Sequence, residues 1–322
     1  MKVFLTGATG FIGSAIMRKL ISSGHQVTGL VQSKENKEKV KAAGGTPILG
    51  DLLVPGPWKE AVQDHDVVIS ASSPFKITDK LSIDEAGRRG RAHTEMVTNL
   101  INAAAHVSKV QAVILTYHVT AFGSHGDSWV SEVMPVKPVG LAIPIAEGYW
   151  DIEKAARKAE VPIIEVFPGW AYGQGSWFPE YLVSGLMNDM PVLVGPGLNY
   201  KSLIHIDDLA EGYRLILDKM PVGERYCFVD SHPVRQKELV SFVAKELGKP
   251  EPQPTDYTLF AKQYGEVLAQ TLDSSVRVSN NKAKRELGFM PKLDNFCHGI
   301  PDILGKMGIL PEKRELPKAA GF

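Results

Sequence analysis

The stretch that decides the fold is residues 1–14, MKVFLTGATGFIGS. Residues 3–5 form a short apolar run, which predicts a buried first strand. Gly7, Gly10 and Gly13 follow at intervals of three, and apolar residues then recur at helical spacing. A strand, a glycine turn and a helix in this order leave backbone N–H groups bare at the positive end of the helix, which suits a pyrophosphate. The alternative is a tight strand-to-helix turn that binds no ligand.

The rest of the first half alternates strand and helix patterns, which predicts a parallel sheet covered by helices on both faces. Strands are predicted at 26–31, 46–49, 66–71, 110–116 and 162–167, and helices at 35–43, 83–106 and 145–159. The predicted fold class is therefore α/β, a Rossmann-type doubly wound parallel sheet with a smaller C-terminal substrate lobe.

The character of the chain changes after residue 169. Residues 170–181 hold five large aromatic side chains among glycine and proline, which suits the wall of a pocket and equally the packing between two lobes. Later predicted elements are a strand at 202–205, helices at 207–217 and 236–247, a stiff proline-rich connector at 249–254, and a helical remainder that ends in a polar tail.

The length of 322 residues is large for a single core and predicts a main domain with a smaller lobe. The expected division is a dinucleotide-binding domain at 1–170, rejoined by 202–230, and a substrate-binding lobe at 171–201 and 231–322.

Composition is that of an ordinary globular enzyme, with 44% apolar and 22% charged residues. The 36 basic and 36 acidic residues balance, so no basic stripe favours nucleic acid or an anionic membrane. Cys227 and Cys297 lie far apart and make no metal spacing, which favours a reduced, cytoplasmic protein without a metal site. The first strand begins at residue 2, so we expect no signal peptide, and no apolar run approaches membrane-spanning length.

The sequence TGATGFIG at 6–13 resembles the TGxxGxxG fingerprint of the short-chain dehydrogenase/reductase superfamily, in its extended, epimerase- and dihydroflavonol-reductase-like form. The similarity covers roughly residues 2–247. With the interpretation of the glycine turn, it implies a nicotinamide dinucleotide bound by Gly7, Thr9, Gly10, Phe11, Ile12, Gly13, Gln32, Ser33, Asp51, Leu52, Ala71, Ser72, Ser73, Lys154 and Pro168.

The residues after the second strand bear on which dinucleotide is bound. An acidic residue there binds the ribose hydroxyls, whereas a basic residue accommodates a 2′-phosphate. Val31 and Gln32 occupy these positions, so neither charge is present. Ser33, Lys34 and Lys37 follow, and they suit a phosphate or form the start of a solvated helix. The sequence favours NADP, with NAD as the alternative.

The catalytic pattern departs from the family. Carbonyl-reducing members use a tyrosine with a lysine four residues later, because the lysine binds the nicotinamide ribose and lowers the tyrosine pKa. The segment AEGYWDIEKAARKAE at 146–160 resembles that helix, with Lys154 at the lysine position. The tyrosine position is Trp150, and Tyr149 lies one residue earlier, a rotation of about 100° on a helix. Tyr149 therefore faces away unless the helix begins irregularly.

The family serine maps onto His118, at the carboxyl end of the fifth strand. Histidine exchanges protons near neutrality, so His118 suits a proton donor or a ligand of the substrate oxygen. Tyr117 and Thr116 flank it and are placed to share that task. The alternative is a structural histidine whose hydrogen bonds are all made within a loop. The candidate catalytic residues are therefore His118, Tyr117, Tyr149 and Lys154.

The resemblance implies an NAD(P)-dependent oxidoreductase of atypical type, and the aromatic segment suggests a small, fairly apolar carbonyl or alcohol substrate. One alternative is a non-redox dinucleotide-binding sensor, since the tyrosine is displaced. Another is a sugar-nucleotide epimerase or dehydratase, which is less favoured because Lys201 replaces the arginine that such enzymes often carry. Relatives commonly pair through two long helices, here at 83–106 and 145–159, so we expect a homodimer.

Overall fold

The computed structural model describes residues 1–76, 79, 81–105 and 109–309. Its strands are β1 Lys2–Thr6, β2 Gln26–Val31, β3 Thr46–Leu49, β4 Val67–Ser70, β5 Ala112–Thr116, β6 Trp129–Val130, β7 Ile163–Pro168, β8 Trp170–Tyr172, β9 Tyr200–Lys201, β10 Leu203–His205, β11 Arg225–Phe228, β12 Val234–Arg235 and β13 Arg277–Val278. The predicted polar tail at the C-terminus and the predicted helix end at His106 lie outside the described residues.

The helices alternate with these strands through the first half of the chain. They are α1 Phe11–Ser22, α2 Lys34–Ala42, α3 Trp58–Gln63, α4 Ile83–Ala104, α5 Ile143–Ala146, α6 Tyr149–Lys158, α7 Ser184–Met187, α8 Ile206–Lys219, α9 Gln236–Glu246, α10 Tyr257–Tyr264, α11 Glu266–Asp273, α12 Asn281–Leu287 and α13 Phe296–Lys306. Short 3₁₀ turns lie at Val119–Phe122 and Gly140–Ala142, and a π-helix lies at Phe178–Val183.

Seven strands form one sheet at the centre of the fold. Their order is β11, β7, β5, β4, β1, β2, β3, and every neighbouring pair is parallel. Because β1 lies between β2 and β4, the strand order reverses beside β1, and ligands of such sheets bind at this reversal. The predicted α/β fold with a doubly wound parallel sheet is confirmed.

Apolar side chains cover both faces of this sheet. On one face α1 and α8 bury residues such as Ile16 and Ile216, and on the other α3 and α6 bury Trp58 and Ile152. Burial of each such side chain contributes about 1.5–3 kcal/mol. A third cluster, around Phe260, joins apolar residues from the segments 170–203 and 234–304. The division into two domains expected from the sequence stays a prediction.

The single helix predicted at 145–159 is interrupted, so that prediction was wrong. α5 ends at Ala146, and α6 begins after Gly148, where a Cβ would lie 1.7 Å from Oγ1 of Thr94 on α4. The backbone of α4 is equally close to α5, because a Cβ at Gly90 would lie 2.1 Å from the carbonyl oxygen of Pro144. The helices on which the homodimer was expected therefore pack against each other within one chain, and the dimer stays a prediction.

The close contact between α4 and α5 gives a test with a matched control on the same helix. Gly90→Ala should lower the free energy of unfolding by about 2 kcal/mol, because the added methyl group meets backbone. Gly87→Ala should raise it by up to about 1 kcal/mol, since its nearest neighbour is the flexible end of Arg91 and alanine favours helix. Urea denaturation measures both changes. Equal effects of the two substitutions would contradict the described packing.

Candidate functional site

The glycine turn after β1 presents bare backbone at the edge of the sheet. Gly7 has φ of +69°, and a Cβ there would lie 2.6 Å from the carbonyl oxygen of Ala71. A Cβ at Gly13 would lie 2.1 Å from the carbonyl oxygen of Gly7, so helix and turn touch backbone to backbone. Gly10 begins α1 without a side-chain cap, and the first turn carries no acidic residue. The first N–H groups of α1 therefore suit an anion.

The other predicted cofactor residues meet at this same edge, because parallel strands of one sheet end on one side. They are Thr9, Phe11 and Ile12 after β1, Gln32 and Ser33 after β2, Asp51 and Leu52 after β3, Ala71, Ser72 and Ser73 after β4, and Pro168 at the end of β7.

Two lysine side chains without described partners follow β2. Gln32 and Ser33 are exposed, and the hydroxyl of Ser33 accepts the N–H of Asn36 at 3.2 Å, which caps α2. The ammonium groups of Lys34 and Lys37 make no hydrogen bond or ion pair with any described residue, whereas the next two lysines of α2 are paired with glutamates. Two unpaired positive charges therefore lie just beyond the carboxyl end of β2.

Beyond β3 and β4 the backbone is fixed by polar contacts. Oδ1 of Asp51 accepts the N–H of Leu53 at 2.9 Å. The hydroxyl of Thr6 accepts the N–H of Ala71 at 3.3 Å and lies 3.4 Å from the hydroxyl of Ser72. These bonds fix the backbone of the two loops beside the glycine turn.

His118 directly follows β5 and keeps one ring nitrogen free. Its Nδ1 lies 3.2 Å from the backbone nitrogen of Thr120 and 2.7 Å from the hydroxyl of that residue. Because a backbone N–H can only donate, Nδ1 accepts and the neutral ring carries its proton on Nε2. Nε2 makes no hydrogen bond within the described part of the chain. Burial and the charge of Lys201 lower the pKa of His118 to about 4, so the ring is neutral at pH 7.

Two indole rings pack one after the other beside His118. The ring of Trp170 meets that of His118 edge-on at 5.4 Å, and Trp177 meets Trp170 at 5.3 Å between centroids. Behind Trp170, the buried ammonium of Lys201 lies 4.8 Å from the ring centroid and donates to three carbonyls of residues 271–274, at the end of α11, at 2.7, 3.0 and 3.3 Å. Burial lowers the pKa of Lys201 to about 7.

The other predicted catalytic residues lie elsewhere. Tyr149 is fully buried, donates to Glu153 at 3.0 Å and accepts a hydrogen bond from Arg225. The hydroxyl of Tyr117 is buried without a partner among the described residues. Desolvation raises the pKa of both phenols above the ordinary value. Lys154 is exposed on α6 and makes no ion pair or hydrogen bond with a described residue. The structure therefore does not bring the two phenols together with His118 at the edge.

Comparison with known proteins places this geometry in a family. A family model for the NAD dependent epimerase/dehydratase family matches residues 3–227, which is more than half of the chain. The chain belongs to the NAD-dependent epimerase/dehydratase family. The resemblance found in the sequence, to the atypical and dihydroflavonol-reductase-like members, is confirmed.

Individual members of the epimerase/dehydratase family are distant. An uncharacterized protein of Schizosaccharomyces pombe is 29% identical over 78% of this chain and 82% of its own. A 4-hydroxy-2-methyl-3-oxo-4-farnesyl-3,4-dihydroquinoline-1-oxide ketoreductase of Stigmatella aurantiaca is 25% identical over 90% of this chain and 92% of its own. The crystal structure of human epimerase family protein SDR39U1 with NADPH has a TM-score of 0.74 at 18% identity, covering 94% of this chain and 99% of its own.

The glycine turn fits the dinucleotide that this family uses. The family description names NAD, whereas the human structure contains NADPH, so the comparisons do not separate the two. In the described residues no helix is long and apolar enough to cross a membrane. Nor do the described residues gather three or more His, Cys, Asp or Glu in a position to hold a metal ion.

Two residues of this epimerase/dehydratase-family site went unrecognised in the sequence. His93 on α4 is 4% exposed and lies beside the backbone of Ser72, and desolvation lowers its pKa to about 4. Lys201 was recognised only as a replacement for arginine, whereas its ammonium caps α11. Each contact joins residues more than 20 positions apart, and no local pattern indicates such a pair.

His93 predicts a pH dependence of stability. Because its pKa is 6.5 in the unfolded chain and about 4 in the folded one, the unfolded chain binds the extra proton between these values. The free energy of unfolding should therefore fall as pH drops from 6.5 to 4, by up to about 3 kcal/mol from this residue. His93→Gln keeps a polar side chain beside Ser72 but does not titrate, so urea denaturation should show a shallower fall. An unchanged slope would contradict the assignment.

Proposed function

We propose that the chain is an NADP-dependent reductase of a small, fairly apolar carbonyl compound, able to oxidise the corresponding alcohol. The observation that carries this proposal is the free Nε2–H of His118 at the carboxyl end of β5, beside the reversal of the strand order. When bound, the nicotinamide supplies the hydride, and water supplies the proton that completes the alcohol. The other steps belong to residues of this chain.

His118 polarises the substrate oxygen. Its Nε2–H donates to the carbonyl and strengthens that hydrogen bond as negative charge develops on the oxygen. The ring is neutral at pH 7 because its pKa is about 4, so it acts as a neutral donor rather than as an imidazolium acid. The hydrogen bond between Thr120 and Nδ1 fixes the tautomer that carries the proton on Nε2. Lys154, exposed and unpaired among the described residues, is the proposed ligand of the nicotinamide ribose.

The surroundings of His118 support an apolar substrate. Trp170 and Trp177 line one side of it with indole rings. The ammonium of Lys201 is occupied by three backbone carbonyls and is 4% exposed, so it does not offer a charge to the diphosphate of a sugar nucleotide. These contacts favour a carbonyl reductase over a sugar-nucleotide epimerase or dehydratase. Similarity to the ketoreductase of Stigmatella aurantiaca also supports a carbonyl reductase.

The preference for NADP rests on Lys34 and Lys37. Their unpaired ammonium groups follow β2, where a 2′-phosphate would lie, and no acidic side chain there is placed to bind a free ribose diol. The acidic residues next to them in the sequence are paired with other lysines, Glu35 with Lys39 at 2.7 Å and Glu38 with Lys41 at 2.9 Å. The charge at this end therefore suits the additional phosphate of NADP.

Removing these two charges tests the cofactor. The double variant Lys34→Ala and Lys37→Ala should weaken NADP binding at least about tenfold and leave NAD binding unchanged, because each charged contact to a phosphate is worth about 1.5–3 kcal/mol. The matched control is Lys39→Ala with Lys41→Ala, whose ammonium groups are already paired on the same helix. Calorimetric titration measures both nucleotides. Equal losses in the two double variants would reject the assignment of NADP.

Two substitutions separate the ring nitrogens of His118. In His118→Asn the side-chain oxygen can replace Nδ1 as the acceptor for Thr120, but no donor replaces Nε2–H. The turnover number should fall about 10²-fold or more, while cofactor affinity stays unchanged. His118→Gln carries a donor near the Nε2 position and should recover part of the rate. Reduced-nicotinamide absorbance with a panel of ketones and aldehydes gives the readout.

The same assay distinguishes the reductase from a non-redox sensor. A sensor would bind NADP yet change absorbance with none of the carbonyl compounds, and His118→Asn would then have no effect to measure. For the reductase, His118 stays neutral between about pH 5.5 and 8, so any titration of kcat/KM there should come from Lys201, whose pKa is about 7, and should persist in His118→Gln. A fall of the rate with rising pH that is lost in His118→Gln would show an imidazolium donor and overturn the mechanism.

A further inference from the structure

A second cleft, which we call the flank cleft, lies on the outer side of the glycine turn. It has a volume of about 410 Å³ and is lined by α1 from Gly10 to Arg18, by residues 173–175, by the start of α8 and by Lys306 of α13. It shares Thr9, Gly10 and Phe11 with the dinucleotide turn. None of the predicted cofactor residues after β2, β3 or β4 lines it. The flank cleft is therefore adjacent to the dinucleotide path without lying along it.

Two helices direct their positive ends at the flank cleft. α1 has 12 residues and no side-chain cap at Gly10, and α8 has 14 residues and begins at Ile206. Both contribute their first residues to the lining. Helix N-termini favour anions through their free N–H groups and their dipoles.

His205 points to a ligand independently of the helix ends. It lines the flank cleft although its side chain is only 2% exposed. Its Nδ1 accepts the N–H of Asp207 at 3.2 Å, so the neutral ring carries its proton on Nε2. That Nε2–H makes no hydrogen bond to a described residue. Because the side chain lines the flank cleft, an acceptor bound there would pair with this donor.

Arg18 supplies a positive charge at the other end. It is exposed, lies about 12 Å along α1 from Gly10, and makes no hydrogen bond or ion pair to a described residue. Lys306 is paired with Asp302 at 2.8 Å, and the carboxylate of Asp207 is 73% exposed, so its charge is largely solvated. The carboxylate of Asp207, which lies 3.7 Å from Nδ1 of His205, is the acidic group at the rim, and the other unpaired groups of the lining named here are donors and a cation.

We propose that the flank cleft binds a phosphate group, free or carried on a small organic molecule, alongside the dinucleotide. His205 Nε2–H and the guanidinium of Arg18 bind its oxygens, together with the N–H groups at the start of α8. The volume of the cleft leaves room for the organic part of a phosphate ester. Because Gly10 and Phe11 belong to both sites, a phosphate there changes the affinity for the dinucleotide, and the dinucleotide changes that for phosphate by the same factor.

The test is a titration of the full chain with inorganic phosphate at constant ionic strength, with and without saturating NADP. Wild type should bind phosphate in both conditions. Arg18→Ala and His205→Asn should each weaken phosphate binding about tenfold, because each removes one charged or charge-assisted hydrogen bond. His205→Asn keeps an acceptor for the N–H of Asp207, so α8 stays capped. His205→Gln keeps a donor near Nε2 and should bind phosphate more tightly than His205→Asn. Arg157→Ala, which removes an exposed arginine from α6 on the opposite face, should bind as wild type does.

Several outcomes would overturn the proposal. One is displacement of phosphate by NADP, which would make the flank cleft part of the pyrophosphate site. Others are an absence of phosphate binding, or equal affinities of His205→Asn and wild type. A parallel titration with glycerol 3-phosphate identifies the source of the group, since tighter binding than phosphate indicates an ester and equal binding indicates the free anion. NADP affinity is measured separately, so failure of the proposed reductase function is distinguishable from failure of the phosphate site.

Discussion

The backbone contact between Gly7 and Ala71 is the constraint on which the site depends. Because a Cβ at Gly7 would lie 2.6 Å from the carbonyl oxygen of Ala71, the ends of β1 and β4 can approach only with glycine there. Gly13 of α1 packs against the carbonyl oxygen of Gly7 so closely that no side chain fits between them. The helix end is thereby fixed at the point where the strand order reverses, and both the dinucleotide edge and the flank cleft take their geometry from it.

The elements of the fold that depend on residues close together in the sequence were predicted from it. The first strand, the glycine spacing and the alternation of strands and helices are encoded within about ten residues each, so six of the seven strands of the parallel sheet followed from them, whereas the edge strand β11 was not predicted. The break before α6 did not, because it accompanies an approach between Gly148 and Thr94, 54 positions away. Strand ends at β4 and β5 were off by one or two residues for the usual reason that termini lack a sharp signal.

The candidate site was predictable in position but not in chemical state. Sequence placed His118 at the end of β5, yet its tautomer depends on the N–H of Thr120, and its neutral charge depends on its burial and on Lys201, 83 positions away. The sequence predicts that Tyr149 faces away from the site, but its contact with Arg225 is a long-range consequence of how α6 packs.

 The hydrogen bond from Tyr149 to Glu153 spans one helical turn, but the bond from Arg225 to Tyr149 joins elements that only the folded sheet brings together.

Lys201 connects α11 to the surroundings of His118. Its ammonium is held by the last carbonyls of α11 on one side and lies over the ring of Trp170 on the other, and that ring touches His118. A displacement of α11 therefore changes the position of a positive charge beside the indole, and with it the electrostatic potential felt by the imidazole. Through this single cation, the C-terminal helices adjust the polarity of the pocket in which the carbonyl is proposed to bind.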